Sequence, residues 1–107
     1  MNNVQLIGRL TKDPESSQGN GHDVARLRLA VNARDRKSTP DYVDVVAFDG
    51  LAKTCAEHLE KGRQVAVSGR LAHSEWEAED GSRRSRLQVI AREVEFLASA
   101  KREGSED

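Results

Sequence analysis

Nine consecutive residues, Asp41-Tyr42-Val43-Asp44-Val45-Val46-Ala47-Phe48-Asp49, constrain this chain more than any other stretch. They are rich in β-branched and aromatic side chains and lie between Pro40 and Gly50, the pattern of a β-strand with a stop at each end. Side chains alternate faces along a strand. One face therefore carries Val43, Val45 and Ala47, small and apolar, suited to the inside of a small barrel. The other carries Tyr42, Asp44, Val46 and Phe48. Large apolar surface is normally buried, so two aromatics beside a carboxylate need a partner. Another subunit, a neighbouring loop or a nucleobase would serve, and packing across strands within the domain is the plainer alternative.

The flanking sequence repeats the period of two. Val4–Leu10 sets Val4, Leu6, Gly8 and Leu10 against Gln5, Ile7 and Arg9, and Gly8 suggests a bulge or sharp coil. Thr11 to Asp23 reads as a loop with turn chemistry at Asp13-Pro14 and Gly19-Asn20-Gly21. Val24 to Asn32 has a nearly strict period of two, placing Arg26 and Arg28 together on the face opposite Ala25, Leu27, Leu29 and Val31. Ala33 to Pro40 is a charged connection. After the central run, Leu51, Cys55 and Leu59 recur at helical spacing, with Ala52 and Ala56 widening the stripe. Asp49 or Gly50 is the expected cap and Lys61-Gly62 the stop. Such a helix is roughly 15 Å long, enough to close one end of a barrel. Cys55 on its inner stripe reads as a core residue.

Gln64 to Trp76 forms a further long strand, with Val65, Val67, Gly69 and Leu71 on one face and Arg70, Ser74 and Trp76 on the other. Asp80-Gly81 predicts a two-residue hairpin turn. That register sets Glu77 opposite Arg84, Glu75 opposite Arg86 and Trp76 opposite Ser85. Leu87–Ile90 and Val94–Leu97 complete the last strand, with an irregularity expected around Ala91-Arg92-Glu93. The fold class is therefore all-β: a five-stranded OB-fold barrel, one short helix between strands 3 and 4, and a long hairpin joining strands 4 and 5. The domain is expected over residues 1–99, and residues 100–107 as a short charged tail.

Charge bears on function through its distribution. The 107 residues carry a formal net charge of -1, which excludes an argument from bulk basicity. Positive charge is concentrated at Arg26/Arg28, Arg34/Arg36/Lys37 and Arg83/Arg84/Arg86, and negative charge at Glu75/Glu77/Glu79/Asp80 and the C-terminal end. Barrels of this type bind extended polymers over strands 2 and 3 and the adjoining loops, where Arg26, Arg28, Tyr42 and Phe48 lie. A single cysteine excludes an intrachain disulfide framework. With no apolar leader and no apolar run long enough to cross a membrane, the expectation is a cytoplasmic protein. His22, His58 and His73 have no metal-ligand spacing with one another or with Cys55. No phosphate loop or nucleophile motif is present, so neither an enzyme nor a cofactor is expected.

Met1-Asn2-Asn3-Val4-Gln5-Leu6-Ile7-Gly8-Arg9-Leu10-Thr11-Lys12-Asp13-Pro14-Glu15 resembles the opening of the bacterial single-stranded-DNA-binding protein family. Leu29-Ala30-Val31-Asn32, Val45-Val46-Ala47-Phe48, Leu59–Val65, Gly69-Arg70-Leu71 and the hairpin around Trp76 and Asp80-Gly81 continue the resemblance, which spans Met1 to Leu97. It implies a domain that assembles, most often as a homotetramer with a dimer also open, and wraps single-stranded DNA in replication, recombination and repair. Tyr42, Phe48 and Trp76 stand at positions resembling the family's base-stacking platforms. Arg9, Lys61 and Arg70 resemble backbone contacts, and Arg26, Arg28, Arg34, Arg36, Arg84 and Arg86 join them as basic residues along the expected path.

The departures from the family pattern remove positive charge or stacking surface. Asp35 stands near a usual aromatic position, Ser74-Glu75 where a basic pair is usual, and Gly50 where a basic residue is usual. The family's long partner-recruiting tail, with its acidic, phenylalanine-containing tip, has no counterpart after Ala100. This leaves either a truncated chain or a short paralogue. A different reading, a primosome-type OB-fold module whose aromatics contact protein, draws on the acidic hairpin residues Glu75, Glu77 and Glu79.

Overall fold

The computed structural model describes residues 1–32 and 39–99. Its elements are β1 (Val4–Leu10), β2 (Glu15–Gly19), β3 (His22–Val31), β4 (Asp41–Phe48), α1 (Asp49–His58), β5 (Arg63–Glu77) and β6 (Arg83–Ser99). They form one sheet in the order β1-β5-β6-β4-β3-β2, and an additional β1–β3 pairing closes five of its strands into a ring. All pairings are antiparallel except β4 with β6, where Val45 lies beside Val89 and Val46 beside Ile90. The helix falls between the third and fourth strands of the ring. This is the expected OB-fold barrel.

Alternation builds the core. Ala25, Leu27 and Leu29 from β3, Val45 and Ala47 from β4, Val65 and Val67 from β5, and Val89 from β6 meet inside the ring. Fully burying a valine or leucine side chain contributes about 1.5–3 kcal/mol, so these inward faces supply most of the driving force for closure. Ala52 and Cys55 of the helix, with Leu59 just past its end, join the core, and the helix seals the end of the ring against β3 and β4, whereas Ala56 is exposed. Burial pushes the Cys55 thiol up from an ordinary 9.0 to about 11, in keeping with its reading as a core residue.

Three expectations are corrected. The segment read as a loop contains β2, which pairs with the start of β3 from Glu15↔Arg26 to Gly19↔His22. Every β2 residue is exposed, so the strand has no apolar alternation to reveal it. The turn, Asn20 (φ 55) and Gly21 (φ 79), has the two positive φ angles of a tight hairpin. At the helix start, Phe48 is the cap, with no side-chain bond. Asp49 (φ 57) turns its carboxylate to His22 instead, at 3.0 Å.

The third correction concerns the β5–β6 hairpin. Ala78 N–H donates to the Ser82 carbonyl at 2.8 Å and Gly81 N–H to the Ala78 carbonyl at 2.9 Å, leaving three residues in the loop instead of two. Gly81 takes the left-handed conformation (φ 88) such a loop requires. The Ser82 N–H and hydroxyl both donate to the Asp80 carboxylate, holding it below the usual carboxylate range. Pairing therefore shifts by one residue: Trp76 faces Arg84, Glu75 faces Ser85 and Ser74 faces Arg86. The expected irregularity is present, since the register changes between Ser68↔Glu93 and Gly69↔Ala91 and leaves Arg92 unpaired in the ladder. Beyond this point the hairpin leaves the barrel, and Leu71, expected on the inner face, becomes exposed.

Candidate nucleic-acid interface

The outer side of β3, β4, β6 and β5 is one continuous surface, because directly paired residues share a face. Arg28 faces Asp44, Arg26 faces Val46 and Val24 faces Phe48 across β3–β4. Val46 lies beside Ile90, which faces Arg70, and Trp76 and Arg84 continue the same face along the hairpin. The strands β4 and β6 run together only around Val45–Val46. Toward the hairpin they diverge, and a groove of about 370 Å³ opens between them, lined by Lys12, Glu15, Arg26, Arg28, Asp44, Val46, Arg86 and Gln88. Four cations and two carboxylates make its lining net positive.

The stacking candidates border this groove unequally. Tyr42 and Trp76 are 54% and 43% exposed and stand at its hairpin end, one on each wall. Each has a guanidinium over its ring: Arg28 at 5.2 Å from the Tyr42 centroid and Arg86 at 5.5 Å from that of Trp76. Such contacts are worth about 0.5–1 kcal/mol at exposed sites, enough to orient a side chain. Phe48, also exposed, lies at the opposite end of β4, about 20 Å from Tyr42 along the strand. Val46, expected on the wet face, is buried as the groove floor because β6 passes alongside it.

The basic candidates divide into groups. Arg26, Arg28 and Arg86 are gathered in the groove. Arg84 is at the hairpin tip, its Nε donating to Ser82 Oγ at 3.2 Å and its Nη2 lying 3.7 Å from Asp80. Arg70 is exposed on the same face. The structure does not bring Arg9 and Lys61 to the groove lining. Arg9 is part-buried and donates to the Gly62 carbonyl at 3.3 Å, and Lys61 sits on the loop after α1, its backbone N–H donating to Asp13 at 2.9 Å. Arg34, Arg36 and Asp35 lie outside the described residues, as does the segment 100–107.

The expected Glu75–Arg86 and Glu77–Arg84 pairs are replaced. Glu75 accepts from Arg83 at 2.8 Å on the other face of the hairpin, which leaves Arg86 to Trp76. Sequence reasoning missed Lys12, Gln88 and Glu15 as groove residues. Lys12 holds Glu15 at 2.9 Å and keeps its carboxyl below the usual range. Both lie where the chain passes from β1, which pairs with β3 at Leu10↔Leu29, to β2, which pairs with it from Glu15↔Arg26, and no apolar alternation marks that passage. Among the described residues, no group of three or more His, Cys, Asp or Glu can hold a metal ion, and no helix is long and apolar enough to cross a membrane.

Comparison with known proteins agrees with this geometry. A single-stranded DNA-binding protein of Clostridium perfringens is 45% identical over 101 residues, covering 92% of this chain and 67% of its own length. One from Clostridium tetani is 41% identical over 110 residues, covering 98% and 76%. Single-stranded DNA-binding protein 2 of Chlorobaculum tepidum is 37% identical over 115 residues, covering 100% and 78%. Residues 1–97, which take in the whole ring, the groove and the hairpin, match the single-strand binding protein family, and the chain belongs to that family.

Proposed function

We propose that this protein binds single-stranded DNA with little sequence preference, coating strands exposed during replication, recombination and repair, without catalysis. One observation carries the reading: a net-positive groove flanked by two exposed aromatic platforms, Tyr42 and Trp76, each with an arginine at its ring. Stacking surfaces interleaved with cations are what sequence-tolerant single-strand binding requires. In this reading the OB-fold domain comprises residues 1–99. Tyr42, Trp76 and, farther along, Phe48 stack bases. Arg26, Arg28, Arg84, Arg86 and Arg70 meet phosphates, with Arg34 and Arg36 as further candidates. Arg9, which also donates to the Gly62 carbonyl, and the exposed Lys61 are candidates for phosphate contacts away from the groove lining.

Trp76 is the only tryptophan, so its fluorescence reports on the groove. Titration with an oligothymidylate at low salt is expected to quench it. Added salt is expected to reverse the quenching, with a slope of about -0.7 per phosphate engaged on a log–log plot. No quenching and no mobility shift at low salt would refute the reading.

We further propose that the protein acts as a homo-oligomer, a tetramer in preference to a dimer. Val4–Gly8 of β1 pairs with β5 on one side and has no strand partner on the other among the described residues, and Ile7 on this strand is 56% exposed. Leu71 and Leu87 form a second exposed apolar pair on the hairpin face away from Trp76. A free strand edge and uncovered apolar side chains favour association. Light scattering is expected to give a mass of four chains; a monomer at micromolar concentration would count against it.

A further inference from the structure

Arg28 makes two contacts that together determine what a strand meets at Tyr42. Its Nη1 donates to Asp44 Oδ1 at 2.9 Å, and its guanidinium carbon lies 5.2 Å from the Tyr42 ring centroid. Asp44 is directly opposite Arg28 across β3–β4, and Tyr42 is the next residue toward the hairpin on the same face. The guanidinium therefore covers ring surface that a base would use, and one of its strongest donors is engaged by a carboxylate. Arg86, on the facing wall, rests on Trp76 and forms no ion pair among the described residues. The two walls of the groove differ in this respect.

A carboxylate and a phosphodiester offer a guanidinium similar chemistry, two oxygens sharing one negative charge. The Arg28 and Asp44 side chains are 44% and 41% exposed, too open for the pair to matter much to folding. Its effect falls on binding. Resting on the single-strand reading above, we propose that Asp44 is a built-in competitor for strand phosphate. It holds Arg28 over Tyr42 in the free protein, and a strand occupies this wall only by exchanging one of its phosphates for the Asp44 carboxylate. The exchange leaves Asp44 uncompensated beside the strand, so this wall binds more weakly than the Arg86–Trp76 wall.

The test compares wild type, Asp44→Asn, Asp44→Glu and Asp44→Asn/Arg28→Met by oligothymidylate titration at several salt concentrations. Asp44→Asn is expected to bind about fivefold tighter, the scale of one exposed ion pair. Its salt slope is expected to stay near that of wild type, because Arg28 meets one phosphate in both and only the competing carboxylate is lost. Asp44→Glu keeps the competitor and should remain near wild type, and adding Arg28→Met should abolish the gain. In the free protein, Asp44→Asn should also shift the Tyr42 ring signals in NMR spectra. The proposal is overturned if wild type binds and Asp44→Asn is no tighter, if the gain persists with Arg28→Met, or if the ring signals do not move. Failure of wild type to bind at all would instead overturn the single-strand reading, while the ring signals would still decide whether Asp44 holds Arg28.

Discussion

Trp76→Ala is expected to lower the affinity for an oligothymidylate by one to two orders of magnitude. Base–aromatic stacking is worth about 1–3 kcal/mol per base, and each 1.4 kcal/mol is about tenfold in affinity. The full effect belongs to Trp76 more than to Tyr42, because its indole is large and its companion Arg86 is not tied to a carboxylate. Trp76 is 43% exposed on a hairpin beyond the barrel core, so its loss should leave the thermal midpoint nearly unchanged. The variant lacks the intrinsic probe, so affinity is read by polarisation of a labelled oligonucleotide. Trp76→Phe should retain most of the binding. The salt slope separates stacking from charge: Trp76→Ala should leave it unchanged, while loss of a phosphate contact flattens it by about 0.7. Unaltered affinity across the salt range, with assembly intact, would move the strand's path off the hairpin and favour a protein partner for the aromatics.

Where inward faces are apolar, the sequence revealed the fold. In β3, Leu27 and Leu29 alternate with the exposed Arg26 and Arg28, and in β4 Val45 and Ala47 point inward on the same period, with Val46 between them buried by β6 instead of exposed; both strands lie where the period of two puts them. β2 carries no such signal because all its residues face solvent; only the Asn20-Gly21 turn betrays it. At the hairpin, Asp80-Gly81 marks the turn correctly but does not specify its length, which depends on Gly81 adopting φ 88 and on Asp80 bonding Ser82. A slip of one residue exchanges faces, and here it decides that Arg84 and Arg86, instead of Arg83 and Ser85, accompany Trp76. The candidate site was similarly half legible. Arg26, Arg28 and Tyr42 follow from alternation alone, but the groove depends on β4 and β6 diverging after Val45↔Val89, a tertiary fact. Arg9 sits on the outer face of its strand as alternation predicts, yet the loop at Gly62 engages it.

Gly69→Val is expected to abolish the cooperative fold, and Gly69→Ala to weaken it measurably. Gly69 is buried in β5 opposite Ala91, immediately after the register shift. A Cβ there would collide with the Ile90 carbonyl oxygen and approach the Ile90 carbonyl carbon to 2.9 Å and the Ala91 Cα to 3.0 Å. All three are backbone atoms, so no change of rotamer relieves the contact. Ile90 is also the residue through which β6 meets Val46 of β4, and displacing it opens the ring at its parallel seam. Overpacking a tight interior costs about 1–3 kcal/mol, a large part of the 5–15 kcal/mol available to a domain. For Gly69→Ala this corresponds to a midpoint lower by about 4–8 °C per kcal/mol; the two additional methyl groups of valine exceed what the seam can absorb. Gly50 is the control. It lies in the first turn of α1 with nothing within 4 Å of a built Cβ, so Gly50→Ala should hold or raise the midpoint, by up to about 1 kcal/mol from helix propensity. Unfolding of both alanine variants, followed by circular dichroism, checks the contrast. A wild-type midpoint for Gly69→Ala would mean that the strands part there without cost, and that barrel closure rests on the side-chain core alone.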